Sequence, residues 1–214
     1  MWKFIKRVVL IGLLAHIIFI FSGKYFNPPF TITQLGGLME YGKLERNYIP
    51  YEEMGTQIKK AILASEDQLF FQHNGFDIKA IEKAFKDNEK GKKLKGGSTI
   101  SQQTAKNIFL WQGRTWTRKG LETIYTFIIE KLWGKEVILE RYLNSIEMGQ
   151  GVFGVEAASH YYFNKSAKNL TKSEAAWIAA VLPNPKKYDP KNPTPYLRKK
   201  HKWIMKQMNH ISIP

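Results

Sequence analysis

Residues 121–133 read Leu121-Glu122-Thr123-Ile124-Tyr125-Thr126-Phe127-Ile128-Ile129-Glu130-Lys131-Leu132-Trp133. Leu121, Ile124, Tyr125, Ile128, Leu132 and Trp133 recur at steps of three and four, which is the period of an amphipathic helix. The same period returns on both sides. Ile58, Ala61, Ile62, Ser65 and Leu69 form one stripe, and Ile78, Ile81 and Phe85 form another behind a capping Asp77. Val137, Leu139, Tyr142 and Leu143 form a third. Thr99 with Gln102, and Thr171 with Glu174, have the spacing of capping boxes and mark two helix starts. Pro183 and Pro185 stop the helix that Thr171 begins, and a last helix is expected around Trp203 to Met208. No alternating run of useful length predicts a long strand. The fold class is mainly α.

The amino terminus is of another kind. Val8 to Phe21 is an apolar run interrupted only by Gly12 and the imidazole of His16. Trp2, Phe4, Tyr25 and Phe26 flank it and suit the two membrane interfaces. Lys3, Lys6 and Arg7 precede it, which keeps the start cytoplasmic and places the rest of the chain outside. No A-x-A cleavage site comes after the run, so an uncleaved anchor is expected. Three regions result: residues 1–26 as cytoplasmic start and transmembrane anchor, 27–50 as a juxtamembrane tether, and 51–214 as the main domain. The chain has 214 residues, a formal net charge of +15 and no cysteine. Disulfides and Cys-based metal sites are excluded, and polyanionic partners are favoured. An external domain on a membrane anchor points to anionic lipid or phosphorylated substrate and away from nucleic acid.

Three clusters could carry chemistry. Glu66 and Asp67 end an apolar helix and precede Phe70, His73, Gly75 and Asp77; a carboxylate in such a place can accept a proton. Gly96-Gly97-Ser98-Thr99 leads into Ser101, Gln102, Gln103, Lys106 and Asn107. A glycine-rich turn at a helix start offers backbone donors to an anion, and Gln103, Lys106 and Asn107 share a face. Arg114, Arg118 and Lys119 suit a pyrophosphate, with Glu122 one turn on. Asp87 to Lys95 is polar and Lys-rich, and is expected to be a mobile loop that orders on binding.

In order and spacing these segments resemble the peptidoglycan glycosyltransferases. The resemblance runs from about Tyr51 to about Pro185. It rests on Glu66-Asp67-Gln68-Leu69-Phe70-Phe71-Gln72-His73-Asn74-Gly75-Phe76-Asp77, on Gly97 to Gln103 with Lys106-Asn107, on Arg118-Lys119 with Glu122, on Ile138 to Asn144 with Gly149 and Gly154, and on Ala157-Ala158-Ser159 with Tyr162-Phe163. Ser101 stands where the family commonly has Thr, and Gly120 where it has a larger residue. The resemblance implies a lysozyme-like helical glycosyltransferase domain that polymerises lipid II into β-1,4-linked glycan, inverting at the donor anomeric carbon and releasing undecaprenyl pyrophosphate. It implies Glu66 and Glu122 as catalytic carboxylates. It implies Ser98, Gln102, Gln103, Lys106, Arg114, Arg118 and Lys119 as substrate ligands, and Asp67 and His73 as support behind them. Mg²⁺ or Mn²⁺ would be held indirectly through Glu122; no organic cofactor is implied. Partners would be lipid II, the growing strand, membrane lipids, and cell-wall synthase and division proteins. The place would be the cytoplasmic (inner) membrane, single-pass, with the domain on the periplasmic or extracellular face. No Ser is followed three positions later by Lys, so a monofunctional enzyme is expected rather than one with a transpeptidase domain. The rival reading is an inactive anchored scaffold that binds lipid II or cell-wall synthases.

Overall fold

The computed structural model describes residues 1–82, 97–113 and 115–214. Asp87 to Lys95 and Arg114 therefore lie outside the described residues. Nine labelled helices run in chain order: α1 (Trp2–Ser22), α2 (Ile32–Tyr41), α3 (Thr56–Glu66), α4 (Ile100–Phe109), α5 (Trp116–Leu132), α6 (Lys135–Ser145), α7 (Val155–Phe163), α8 (Lys172–Val181) and α9 (Pro195–Gln207). A helical stretch at 78–82 starts at Asp77, whose Oδ1 accepts from Ala80 N. Both expected capping boxes form: Thr99 with Gln102, and Thr171 with Glu174. The last helix starts earlier than Trp203, because Thr194 caps it and Pro195 occupies its first turn.

α3 packs against α8 and α9, and α4 packs against α5 and α6. Ile58, Ile62, Leu63, Phe70, Ile100, Ile129, Ile138, Leu139 and Leu143 meet with essentially no exposure. Three short strands, β1 (Glu45–Arg46), β2 (Glu147–Gly149) and β3 (Val152–Phe153), form a small sheet in the order β1-β3-β2, with β1 parallel and β2 antiparallel to β3. Asn144 holds the approaching chain: its Oδ1 accepts from Ile49 N and its Nδ2 donates to Ile49 O.

Gly154 comes directly after β3 with φ +85°, and a Cβ there would stand 2.7 Å from Asn144 O. Gly154→Ala should therefore destabilise the domain by roughly 2 kcal/mol, from backbone strain alone, with the close contact adding to it. Thermal denaturation would show this, and an unchanged midpoint would contradict it.

Residues 27–50 are not a loose tether. Thr31 and Gln34 form a capping box at the start of α2. Thr33 Oγ1 donates to Asn107 O, Gly37 lies flat against Phe153, and β1 joins the sheet. The capping-box spacing was present in the sequence, but Gly36-Gly37 leave no side chains to show a period.

α1 has 21 residues, with a mean hydropathy of 2.2 over an 18-residue window, long and apolar enough to cross a membrane. At 1.5 Å per residue it spans about 31 Å, close to the thickness of a bilayer's hydrocarbon. Its carboxyl end is docked. Trp133 Nε1 donates to Ile20 O at 2.9 Å, Arg141 Nε to Gly23 O at 2.8 Å, and Arg141 Nη2 to Lys24 O at 3.2 Å. These donors satisfy carbonyls that a helix end leaves open.

The pattern at 121–133 marks α5 but not its buried side. The buried residues are Arg118, Glu122, Thr126 and Ile129. Ile124 and Phe127 are exposed, while Leu121, Tyr125, Ile128 and Leu132 are partly buried against the core. The helix turns a largely polar stripe inward, toward α4, and much of its apolar stripe outward. Exposed apolar side chains also lie on α2 (Ile32, Leu35, Met39), at Phe26 and Phe30, and at Trp111 and Trp116.

Candidate active site

Glu66 is the last residue of α3, and the hinge just after it fixes where its carboxylate goes. Asp67, 7 % exposed, accepts from Ile100 N at the start of α4 (3.0 Å) and is bonded to His73 Nε2 at 3.0 Å through both oxygens. His73 Nδ1 accepts from Gly75 N at 3.2 Å, so the proton sits on Nε2 and faces Asp67. A carboxylate at the amino end of α4 is favoured by the helix dipole. Asp67 thus ties the end of α3 to the beginning of α4, one turn before Gln103.

That turn brings Gln103 to Glu66. Gln103 Nε2 donates to Glu66 Oε2 at 3.2 Å, and Gln103 Oε1 accepts from Tyr142 Oη at 3.0 Å. The two bonds fix the orientation of the amide. Burial pushes the Tyr142 phenol well above its ordinary value, with the charges of Glu66 and Asp67 adding, so it stays a neutral donor. Ser65 Oγ donates to Glu66 Oε1 at 2.8 Å, and Lys200 Nζ lies 3.8 Å from the same oxygen. Burial holds the Lys200 ammonium below the usual lysine range, against the attraction of Glu66.

The second carboxylate is locked differently. Glu122, 3 % exposed, is paired through one oxygen with Arg118 and through the other with Lys119. Arg118 Nε also donates to Gly113 O at 2.6 Å. Lys106 lies near Glu122, Arg118 and Lys119. Its ammonium is lowered from the lysine value by burial; Glu122 opposes this, and Arg118 and Lys119 add to it. Three cations against one carboxylate leave this region positive, as a pyrophosphate requires. Both oxygens of Glu122 are engaged, and no group of three His, Asp or Glu able to hold a metal occurs among the described residues. The residues present do not fit direct coordination of Mg²⁺ or Mn²⁺ by Glu122.

Gln103, Lys106, Asn107 and Tyr142 line a cleft of about 550 Å³ that continues to Glu147, Asn184 and Lys186. Of the other expected ligands, Ser98 is exposed beside the start of α4. Gln102 is 4 % exposed, and its oxygen caps Thr99 N, so it is committed to the helix start and does not reach the cleft. Lys200 and Tyr142 are site residues that motif and spacing did not reveal. Lys200 lies in the inward stripe Leu197, Lys200, Ile204, Met208, and a cation within an apolar stripe was the available signal.

At the far end of the cleft, burial raises the Glu147 carboxyl above its ordinary value. Lys186 and the Gly151 N–H oppose the shift, and Glu40 adds to it. The folded chain therefore keeps this proton to higher pH than the unfolded chain does. The stability so gained is lost as pH rises from the ordinary carboxylate value through the raised one. Glu147→Gln removes that dependence, so as pH rises above the ordinary carboxylate value, about 4, the melting temperature of wild type should fall relative to that of the variant. An equal fall in both proteins would contradict it.

The sequence is similar to those of known proteins. Residues 34–209 match the family model described as Transglycosylase. The chain is 53 % identical over 171 residues to the biosynthetic peptidoglycan transglycosylase of Mannheimia succiniciproducens, covering 80 % of this chain and 70 % of that protein. It is 52 % identical to the protein of that name from Haemophilus influenzae, covering 79 % and 69 %. It is 44 % identical over 213 residues to that of Bdellovibrio bacteriovorus, covering 96 % and 85 %. A helical lysozyme-like domain of this family defines a class, the glycosyl-transfer enzymes built on that scaffold. Within it, the chain belongs to the transglycosylase family.

Proposed function

We propose that this protein polymerises lipid II at the outer face of the cytoplasmic membrane, with Glu66 as the general base. That it is a peptidoglycan glycosyltransferase, building glycan strands, follows from its family. The finer reading is supported by one observation above the rest: the Glu66 carboxylate is held by Gln103, a residue of the same helix face as Lys106, which lies among Arg118, Lys119 and Glu122. Gln103 and Lys106, which line the cleft, thus connect it to a carboxylate on one side and to a cluster of cations on the other.

In this reading the incoming lipid II gives the proton of its 4-hydroxyl to Glu66. The oxygen attacks the anomeric carbon of the growing strand. The bond from that carbon to the pyrophosphate breaks, and the pyrophosphate leaves with the bonding electrons, neutralised by Lys106, Arg118 and Lys119. Attack opposite the leaving group turns an α-linked donor into a β-1,4 linkage. Glu122 keeps Arg118 and Lys119 in place. Asp67 and His73 hold the α3–α4 junction. Ser98 and Arg114 would meet substrate, as the resemblance implies. No step runs through Mg²⁺ or Mn²⁺, because Glu122 has both oxygens on cations. α1 would cross the membrane with Lys3, Lys6 and Arg7 inside, and the exposed apolar side chains of α2, Trp111 and Trp116 would rest in lipid. Synthase and division proteins working on the same strand would be its neighbours.

The test is the product. Purified full-length protein given lipid II should release one undecaprenyl pyrophosphate per bond formed, and nuclear magnetic resonance should show β anomers. Retained α configuration, or glycan formed without pyrophosphate release, would overturn the inverting mechanism.

A further inference from the structure

His16 is the polar side chain that interrupts the apolar run of the anchor, and glycosyl transfer at the cleft has no use for it. Between Trp2 and Ile18 every residue of α1 is exposed except His16. Its Nε2 lies 2.6 Å from the hydroxyl of Tyr125, in the middle of α5. The imidazole meets the Tyr125 ring edge-on at 5.5 Å and approaches Phe109 at 6.3 Å, and Phe109 stacks on Tyr125 at 4.8 Å. An imidazole in hydrocarbon without a partner is costly, and a polar residue inside a membrane helix marks a function more often than not. A plain anchor would be better served by leucine. Apolar contact gives membrane helices little reason to prefer one neighbour or one register, so a hydrogen bond and close packing decide both.

The contact also fixes a depth. Tyr125 meets His16, and Trp133 meets Ile20. α5 and α1 therefore run in the same sense, and the amino-terminal half of α5, with Arg118, Lys119 and Glu122, points back toward the membrane. His16 lies six residues before Ser22, about 9 Å below the outer end of α1. Tyr125 is three residues beyond Glu122 on the same helix.

We propose that the His16–Tyr125 hydrogen bond is a latch within the outer leaflet that sets the depth and rotation at which the domain sits against the bilayer holding its pyrophosphate-lipid substrate. The inference rests on the reading of α1 as a spanning anchor and of the substrate as a lipid pyrophosphate. His16 and Tyr125 are positioning residues in it; neither touches the reacting atoms.

Wild type, His16→Leu, Tyr125→Phe and the double variant should be compared in proteoliposomes. Two substrates are needed: lipid II with its full polyprenyl chain, and a water-soluble analogue with a short prenyl chain. The latch predicts a KM for the bilayer substrate raised about threefold to tenfold with kcat little changed. It predicts no effect on the soluble analogue, and a double variant no worse than either single one. Wild-type kinetics in the variants, equal losses on both substrates, or losses that multiply in the double variant would overturn it. A second readout needs no turnover. The chain has no cysteine, so a fluorophore on Trp116→Cys is unique, and its quenching by lipids brominated at known depths reports how deep α5 sits. His16→Leu should shift that depth profile, and an unmoved profile contradicts the latch. If wild type makes no glycan but the profile shifts, the substrate reading fails and the depth-setting contact stands.

Discussion

Glu66→Gln should lower glycan polymerisation by about a thousandfold, near the middle of what a general base contributes, and leave the fold intact. The substitution keeps the shape of the side chain. Ser65 can still donate to the remaining oxygen. The carboxylate is at a helix end, partly exposed, and its charged partner among the described residues, Lys200, is 3.8 Å away, so little stability depends on the charge. What is lost is the acceptor of the 4-hydroxyl proton. Rates of lipid II consumption and melting curves measured together would check this. A variant that melts like wild type and polymerises within tenfold of it would remove Glu66 as the base.

Glu122→Gln should be costly in both respects. Glu122 and Arg118 are 3 % and 8 % exposed, and removing one partner of such a pair leaves a buried charge uncompensated. That costs roughly 3–5 kcal/mol; Lys119, which is more exposed, can turn to water. A second variant separates folding from chemistry. Arg118→Met with Glu122→Leu replaces the pair by apolar side chains of similar bulk and should recover most of the stability. It should not recover polymerisation, because the pyrophosphate has lost a bidentate cation. Chemical denaturation gives the first quantity and glycan yield the second. A Glu122→Gln protein as stable as wild type would mean that the pair contributes nothing to the fold, and an active double variant would mean that Arg118 does not meet substrate.

The fold was legible where local chemistry and long-range packing agree. The capping boxes at Thr99 and Thr171 and the Ile58, Ala61, Ile62 part of the α3 stripe read directly, since each is satisfied within one turn or one face; Leu69, read into that stripe, lies beyond the helix and is exposed. α5 shows the limit. Its strongest period is apolar, yet Ile124 of that period is exposed and Glu122 is buried, because the side facing α4 carries the paired Arg118 and Glu122. α2 was missed although Thr31 and Gln34 announced it, since Gly36-Gly37 pack by having no side chain. At the site, Glu66, Gln103, Lys106, Arg118 and Glu122 could be named from spacing and resemblance. Lys200 could not, because it arrives from α9, far along the chain, and only the packing of α3 on α9 brings it to Glu66. Gln102 and Gln103 were both expected as substrate ligands, but the capping-box spacing commits Gln102 to the helix start and leaves Gln103 to face the carboxylate.

The most direct test of lipid II polymerisation is to incubate purified full-length protein with lipid II in liposomes and size the products. The predicted result is a ladder of glycan strands, with free undecaprenyl pyrophosphate rising alongside. Lipid II recovered bound to well-folded protein but unpolymerised would contradict it, and would make the chain an anchored scaffold for its substrate.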